Sequence, residues 1–365
     1  MELYEIIRKS AEKGIKMQRK DGSMPPGHNG PYKMKETPVR NTSHWTITFL
    51  KTYEHTKEEK YLNSAKKAVD YLLSDKARPY GYTFKHLDVD YKIKSNGLIG
   101  QSWTLEALLE AKGHYKKPEK IEKTIEEILS IHPFDEKLGI WKLVDIKGDK
   151  NYYQSTFNHQ LWFATMHALF GKDSFERKAQ IFMDRLDKNL NIYSNGLIYQ
   201  GLLVSDFYRR FSLDFLYKQA KERLKKISKS RYWKSVGYHS FNMYAFALLK
   251  QKYLEHDFWE SEKFEKIIEY SKSKELKEKV RKNKFGLPYN PAGFEIAFAL
   301  NKFEPESLDE QKKWISMQLK EHFDWDSNLL NKNTINPKTL SARIYEATRL
   351  PNYDIEDKEA IIKGD

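Results

Sequence analysis

Along residues 62–72 the apolar side chains Leu62, Ala65, Val69 and Leu72 recur at i, i+3, i+7 and i+10, one stripe on a helix. The same period predicts helices near 98–113, 118–131, 156–170, 174–187, 197–209, 213–227, 238–252, 256–271, 292–302, 308–322 and 339–349. Strand-like alternation is confined to Tyr80–Phe84 and Ile140–Val144, and the connectors are short, as in antiparallel helical hairpins. The helices are of two kinds. TFNHQLWFATMHALFG, YHSFNMYAFALL and PAGFEIAFAL are apolar or small nearly all round, which predicts burial on every side. EEKYLNSAKKAVDYLLS, KIEKTIEEILSI and DEQKKWISMQLKEHF each carry a charged face for water.

The apolar set begins near His44, Leu98, Thr156, Leu197, Tyr238, Ala292 and Thr339, a repeat of roughly 40 to 60 residues. Ser95-Asn96-Gly97-Leu98-Ile99 recurs as Ser194-Asn195-Gly196-Leu197-Ile198, with Gln101 and Gln200 two residues further on. Alternation of the two kinds predicts an all-α fold, a closed (α/α)6-type toroid with an inner ring of helices wrapped by an outer one. One domain over residues 1–365 is expected, with a polar loop at 20–44 over one end of the barrel. An open α-solenoid of the TPR or HEAT type is the alternative, but such solenoids lack this loop and bury fewer rings.

Composition narrows the chemistry. The chain has 23 Tyr and 8 Trp, ample for a core, and no Cys, which excludes disulfides, thiolate catalysis and Cys-ligated zinc. The N-terminus has no apolar core of signal-peptide length and no 18 apolar residues run together, so a soluble, cytoplasmic protein is expected. The net charge of +13 sits largely on the runs Lys218–Lys234 and Lys272–Lys284, which read as solvated helix faces. An acidic glycan or a membrane surface remains a partner for them. Nucleic acid is not expected, because no nucleic-acid motif or phosphate loop is present. No cofactor and no metal is expected: HExxH is missing and the histidines lack ligand spacing.

The loop DGSMPPGHNGPYKMKETPVRNTSHW has too many Gly and Pro for a helix or strand, yet carries Asp21, His28, Asn29, Arg40 and His44. In a closed ring the inner helices run parallel, so their N-termini and unsatisfied N–H groups open at one end. Polar residues near those starts are Gln101, Asn158, His159, Gln200, Tyr238, His239, Asn242, Asn290, Glu295, Arg343 and Glu346. Each has a structural alternative, such as a helix cap or an intrahelical ion pair for Arg343 and Glu346. Their shared location favours a site.

DGSMPPGHNGPY, TPVRNTSHW, NGLIGQSWTLEALLEA, TFNHQLWFA, YHSFNMYAFALL, NPAGFEIAFAL and LSARIYEATRLP resemble the AglQ-like proteins of archaeal glycosylation clusters, over about residues 18–352. The resemblance implies a six-hairpin glycosidase-like toroid, comparable with unsaturated glucuronyl hydrolases. It implies a role on a surface N-glycan containing hexuronic acid, with an acidic oligosaccharide or lipid-linked glycan as partner. Gly100-Gln101-Ser102-Trp103 is similar to a hydrolase motif, but Asn158 stands at the position compared with the hydrolase Asp. In that reading the acid/base work falls on Asp21, Asp88, Asp90, Glu106 or Glu295.

Asn158-His159-x-x-Trp162 is similar to toroid lyases acting on uronates. By that likeness Asn158 and Arg40 or Arg343 hold the carboxylate, His159 takes the C5 proton, and Tyr238 or Tyr244 acts as acid. Arg231 is a further carboxylate candidate. Return of the proton to the opposite face would make the same groups an epimerase. His28, Asn29 and Asp21 would line the lid, with His44, Trp103, Gln101, His239 and Asn242 along the wall. A non-catalytic glycan-binding or scaffold protein is the third reading.

Overall fold

The computed structural model describes residues 1–149, 152–202, 220–221 and 223–355. Its helices are α1 (Leu3–Met17), α2 (Val39–Thr56), α3 (Glu59–Leu72), α4 (Gly97–Ala111), α5 (Pro118–Ile131), α6 (Phe157–Phe170) and α7 (Asp173–Asp184). They continue as α8 (Leu186–Asn189), α9 (Lys229–Lys250), α10 (Glu262–Lys272), α11 (Lys274–Arg281), α12 (Ala292–Phe303), α13 (Leu308–His322) and α14 (Pro337–Ala342). A 3-10 helix, Arg343–Arg349, follows α14 directly. Strands β1 (Phe134–Asp135), β2 (Ile140–Leu143) and β3 (Tyr152–Tyr153) form an antiparallel sheet in that order, with Phe134 opposite Trp141 and Lys142 opposite Tyr153. A second small hairpin pairs β4 (Phe323–Asp324) with β5 (Leu329–Leu330).

The inner ring closes. Helix α2 packs on α4, α4 on α6, α6 on α9, α9 on α12, α12 on the 3-10 helix, and the 3-10 helix on α2. Outside it α1 lies against α2 and the 3-10 helix, α3 against α2, α5 against α4, α7 against α6, α11 against α9 and α13 against α12. This is the (α/α)6 toroid. The expected division of labour holds: α4 and α6 are buried nearly all round, whereas α3 and α5 bury one stripe each. The lysines and arginine of α11 pair with acidic neighbours, as Lys277 does with Glu310 and Arg281 with Glu321. No described helix is long and apolar enough to cross a membrane.

Four expectations need correction. Residues 197–202 form no helix: Ile192 bridges Ile198 and Thr156 bridges Gly201, so the segment is extended. The rest of the stretch expected at 197–209, and residues 210–219 and 222, lie outside the described residues. Tyr80–Phe84 is turn and bend rather than strand. The loop expected at 20–44 ends at Pro38, so Arg40, Asn41 and His44 already lie on α2, and α9 starts nine residues before Tyr238. Helix α1 was not anticipated; its charges mask the stripe formed by Leu3, Ile6, Ile7, Ala11 and Gly14.

Two buried glutamines show how the inner helices hold the loops above them. The Phe84 N–H donates to Gln101 Oε1 at 2.8 Å, while Gln101 Nε2 donates to the carbonyls of Phe84 and Ser95. Gln160 repeats this on α6: the Trp141 N–H donates to its Oε1 at 2.8 Å, and Nε2 reaches the carbonyls of Trp141 and Gln154. The true repeat partner of Gln101 is therefore Gln160, not Gln200. Gln160→Ala removes the partner of three backbone groups, two of them buried, and is expected to cost about 2 kcal/mol in urea denaturation.

Burial also pushes the imidazoles of His86, His132, His167 and His239 down to about 3. In the unfolded chain they take up protons below about 6.5, so each erodes stability as pH falls from there towards 3. His132 accepts the Val144 N–H through Nδ1 at 3.0 Å, a bond an Asn oxygen can accept instead. His132→Asn is expected to flatten the acid limb of a stability–pH curve by up to about 1.4 kcal/mol per pH unit.

Candidate active site

A cleft of about 490 Å³ opens at the end of the toroid where the inner helices begin. Its wall is built mainly by the residues that precede those helices. Asn29, Tyr32 and Met34 come before α2, Leu87 to Asn96 before α4, Tyr152 to Thr156 before α6, and Tyr289 with Asn290 before α12. Asn158 and His159 add the first turn of α6, Lys234, Tyr238 and Phe241 come from α9, and Gln200 from the extended segment. Rings and amides dominate. No carboxylate is among the described lining residues.

His159 packs against a bare backbone. Gly97 has φ +73°, and the point where its Cβ would sit lies 2.5 Å from His159 Nδ1 and 3.0 Å from Gln154 Oε1. That nitrogen is buried without a partner, which leaves Nε2 as the one towards the cleft. Burial first, then the charge of Lys234, pushes the imidazole down to about 3, so it is neutral near pH 7. Beside it, Gln200 Nε2 donates to Asn158 Oδ1 at 2.7 Å, with both residues buried.

Across the cleft the Tyr32 and Tyr238 hydroxyls meet at 3.3 Å, and burial raises both phenols well above their usual range. Lys234 Nζ lies 5.0 Å and Lys92 Nζ 5.9 Å from the Tyr32 ring centre, so the positive charge gathers on this side. The floor rests on Arg40. Its guanidinium lies 4.0 Å from the Trp103 ring centre, pairs with Glu36 at 3.0 Å, and donates to the Tyr289 hydroxyl at 3.2 Å. Tyr289 in turn donates to Asn29 Oδ1 at 2.8 Å, tying the loop to the barrel.

Of the residues picked from sequence, Asn29, Trp103, Asn158, His159, Gln200, Tyr238 and Asn290 line the cleft together. The following do not. Arg40 lies behind Trp103 and Tyr289, spent on Glu36, and His44 stacks on Tyr345 with its centroid at 4.5 Å. Gln101 is consumed by backbone, and His239 sits between the Ile198 N–H and Ser271 Oγ. Asn242 and Tyr244 are fully buried in the barrel core, Tyr244 stacked on Trp162. Trp45 and Trp162 are core as well.

Arg343 is locked to Glu295 at 2.6 Å and Glu346 at 2.5 Å, which removes Glu295 as a free acid/base and Arg343 as a carboxylate clamp. Asp21 is a surface turn residue bound to Ser23 and Lys76, and the His28 ring nitrogens face the Gly30 and Ile335 carbonyls on another side of the loop. Asp88 and Asp90 pair with surface lysines, and Glu106 with Arg349. Arg231 lies over the Tyr199 ring. Sequence reasoning overlooked Tyr289, Gln154, Lys92 and Lys234. The first two carry a readable signal, since each falls within three residues before an inner helix.

No family model matches the chain. It is 40% identical to Archaeal glycosylation protein Q of Haloferax volcanii, over 97% of this chain and 98% of that one. The chain belongs to this family. Solved structures share the fold. A D-mannose isomerase aligns over 95% of this chain and 96% of its own, with a TM-score of 0.63 and 12% identity. The cellobiose 2-epimerase of Spirochaeta thermophila covers 95% and 97% at 0.60 and 11%. A heparin-specific unsaturated glucuronyl hydrolase covers 94% and 95% at 0.55 and 13%.

Gly97→Ala must displace His159 or Gln154 and strain a left-handed residue. A shifted His159 imidazole signal in histidine-labelled NMR spectra is expected, with a lowered melting temperature.

Proposed function

We propose that this protein is a sugar-modifying enzyme of a glycosylation pathway, acting on a uronic-acid-containing glycan or glycolipid intermediate by moving its C5 proton. The observation that carries the reading is the company His159 keeps: Asn158, Tyr238, Lys92 and Lys234 share its cleft, and no described carboxylate does. Hydrolysis by paired carboxylates needs two such groups facing one bond. The name of the family relative and the sugar chemistry of the structural neighbours support a carbohydrate substrate.

The steps follow from the groups present. The lysines attract the uronate and Asn158 hydrogen-bonds its carboxylate, which makes the neighbouring C5–H more acidic. Neutral His159 takes that proton through Nε2. The bound anion offsets the charge of Lys234 and raises the imidazole, favouring the protonated form just when it is needed. Return of a proton to the other face inverts C5. Alternatively the C4–O bond breaks, a C4–C5 double bond forms, and Tyr238 protonates the departing oxygen.

The test is NMR in D2O with glucuronide- and galacturonide-containing oligosaccharides. Wild type is expected to exchange H5 for deuterium, and His159→Gln to lose this by at least about 100-fold. Tyr238→Phe should retain exchange while losing any elimination, and Asp21→Asn should change nothing. Release of reducing sugar with H5 intact would overturn the reading in favour of hydrolysis. Inertness towards every uronide would favour a binding or scaffold protein.

A further inference from the structure

Gln200 lies on no helix and belongs to none of the elements that carry His159 or Tyr238, yet it is among the most firmly held residues of the cleft. Its backbone N–H donates to Ser235 Oγ at 3.1 Å, and its carbonyl accepts the N–H of Phe157, the first residue of α6, at 3.0 Å. The neighbouring Leu202 N–H donates to the Ser155 carbonyl at 2.9 Å. The extended segment is thus sewn to the start of α6 on one side and to α9 on the other. Its side chain spans the remaining gap and donates to Asn158 Oδ1.

An amide has one acceptor end and one donor end. With Oδ1 of Asn158 turned to Gln200, the end of the amide directed away from Gln200 is Nδ2, a donor. Gln200 Oε1 is buried without a partner, so the pair keeps its acceptor covered. We infer that Gln200 is a positioning residue that fixes Asn158 donor-outward, and that the subsite beside His159 is thereby set to accept an anionic carboxylate and to reject the matching carboxamide. The inference rests on the uronate reading above and adds to it how the site tells a uronate from its neutral analogues. A carboxamide can turn its own oxygen to Asn158, but it then offers a neutral acceptor in place of a charged one.

Two measurements separate this inference from the proposal it builds on. The first needs no ligand: in side-chain amide NMR of the full chain, the Gln200 Nε2 protons should exchange slowly and shift on Asn158→Asp. The second is calorimetric titration with methyl glucuronide and its carboxamide. Wild type should favour the acid by about 10- to 100-fold. Gln200→Ala should lose most of that preference. Gln200→Glu, of equal shape but acceptor-only when ionised, should turn Asn158 round and move the preference to the carboxamide.

Unchanged selectivity in both variants would overturn the inference, as would an Asn158 amide found donating to Gln200, even if H5 exchange stands. Slow Gln200 protons with neither ligand bound would uphold the positioning role and overturn the uronate specificity.

Discussion

A ring of helical hairpins is only as closed as its last member, and here that member is short. The six residues of α14 and one 3-10 segment occupy the place of a full inner helix. Fewer apolar contacts are available there, and the closure leans on Arg343. Its guanidinium, 1% exposed, donates to the Tyr289 carbonyl, Asn290 Oδ1, Glu295 and Glu346. Burying a guanidinium costs several kcal/mol unless every donor is satisfied, so these partners are obligatory. Burial raises both carboxyls, Glu346 the more strongly, which leaves the cluster near neutrality. Because Tyr289 and Asn290 also line the cleft, closing the ring and shaping the site are one event.

That coupling explains which parts of the molecule sequence could disclose. Helix type is a local property, and the contrast between α6, apolar all round, and α5, with one buried stripe, is written in the residues of each. The stripe at Ile121, Ile125 and Ile128 suffices to place α5 outside. The extended segment 192–202 has no such property. Its apolar residues Leu197, Ile198 and Leu202 satisfy a helical stripe as well as a buried strand, and only pairing with Thr156 and Ile192 decides. The SNGLI echo misled for the same reason. Asn96 and Gly97 are followed by a helix because Gln101 holds the loop before it, whereas the second copy lacks that anchor.

The site divides in the same way. His159 and Asn158 were legible because polar residues opening an apolar helix need partners. Arg40 was legible as important but not in its role, since nothing local reveals that Glu36, four residues earlier, holds it behind Trp103. Tyr289 depends on a hydrogen bond to Asn29, 260 positions away in the chain, and no local pattern encodes that.

What results is an electrostatic division between floor and mouth. The buried pairs Arg40 with Glu36 and Arg343 with Glu295 fix geometry while projecting little net field into the cleft. The mouth carries Lys92 and Lys234 around a phenol ring. In the proposed reaction an anionic sugar is drawn by the mouth and oriented by neutral amides below, where a neutral imidazole lies beside Gly97. In that reaction a lysine in contact with the C5 carboxylate would add to the repulsion that Lys234 already exerts on a His159 imidazolium, whereas an amide in that place holds the anion without adding to it. If His159 is the base of the proposed reaction, Asn and Gln rather than further cations in the deep wall are what its protonation requires of its neighbours.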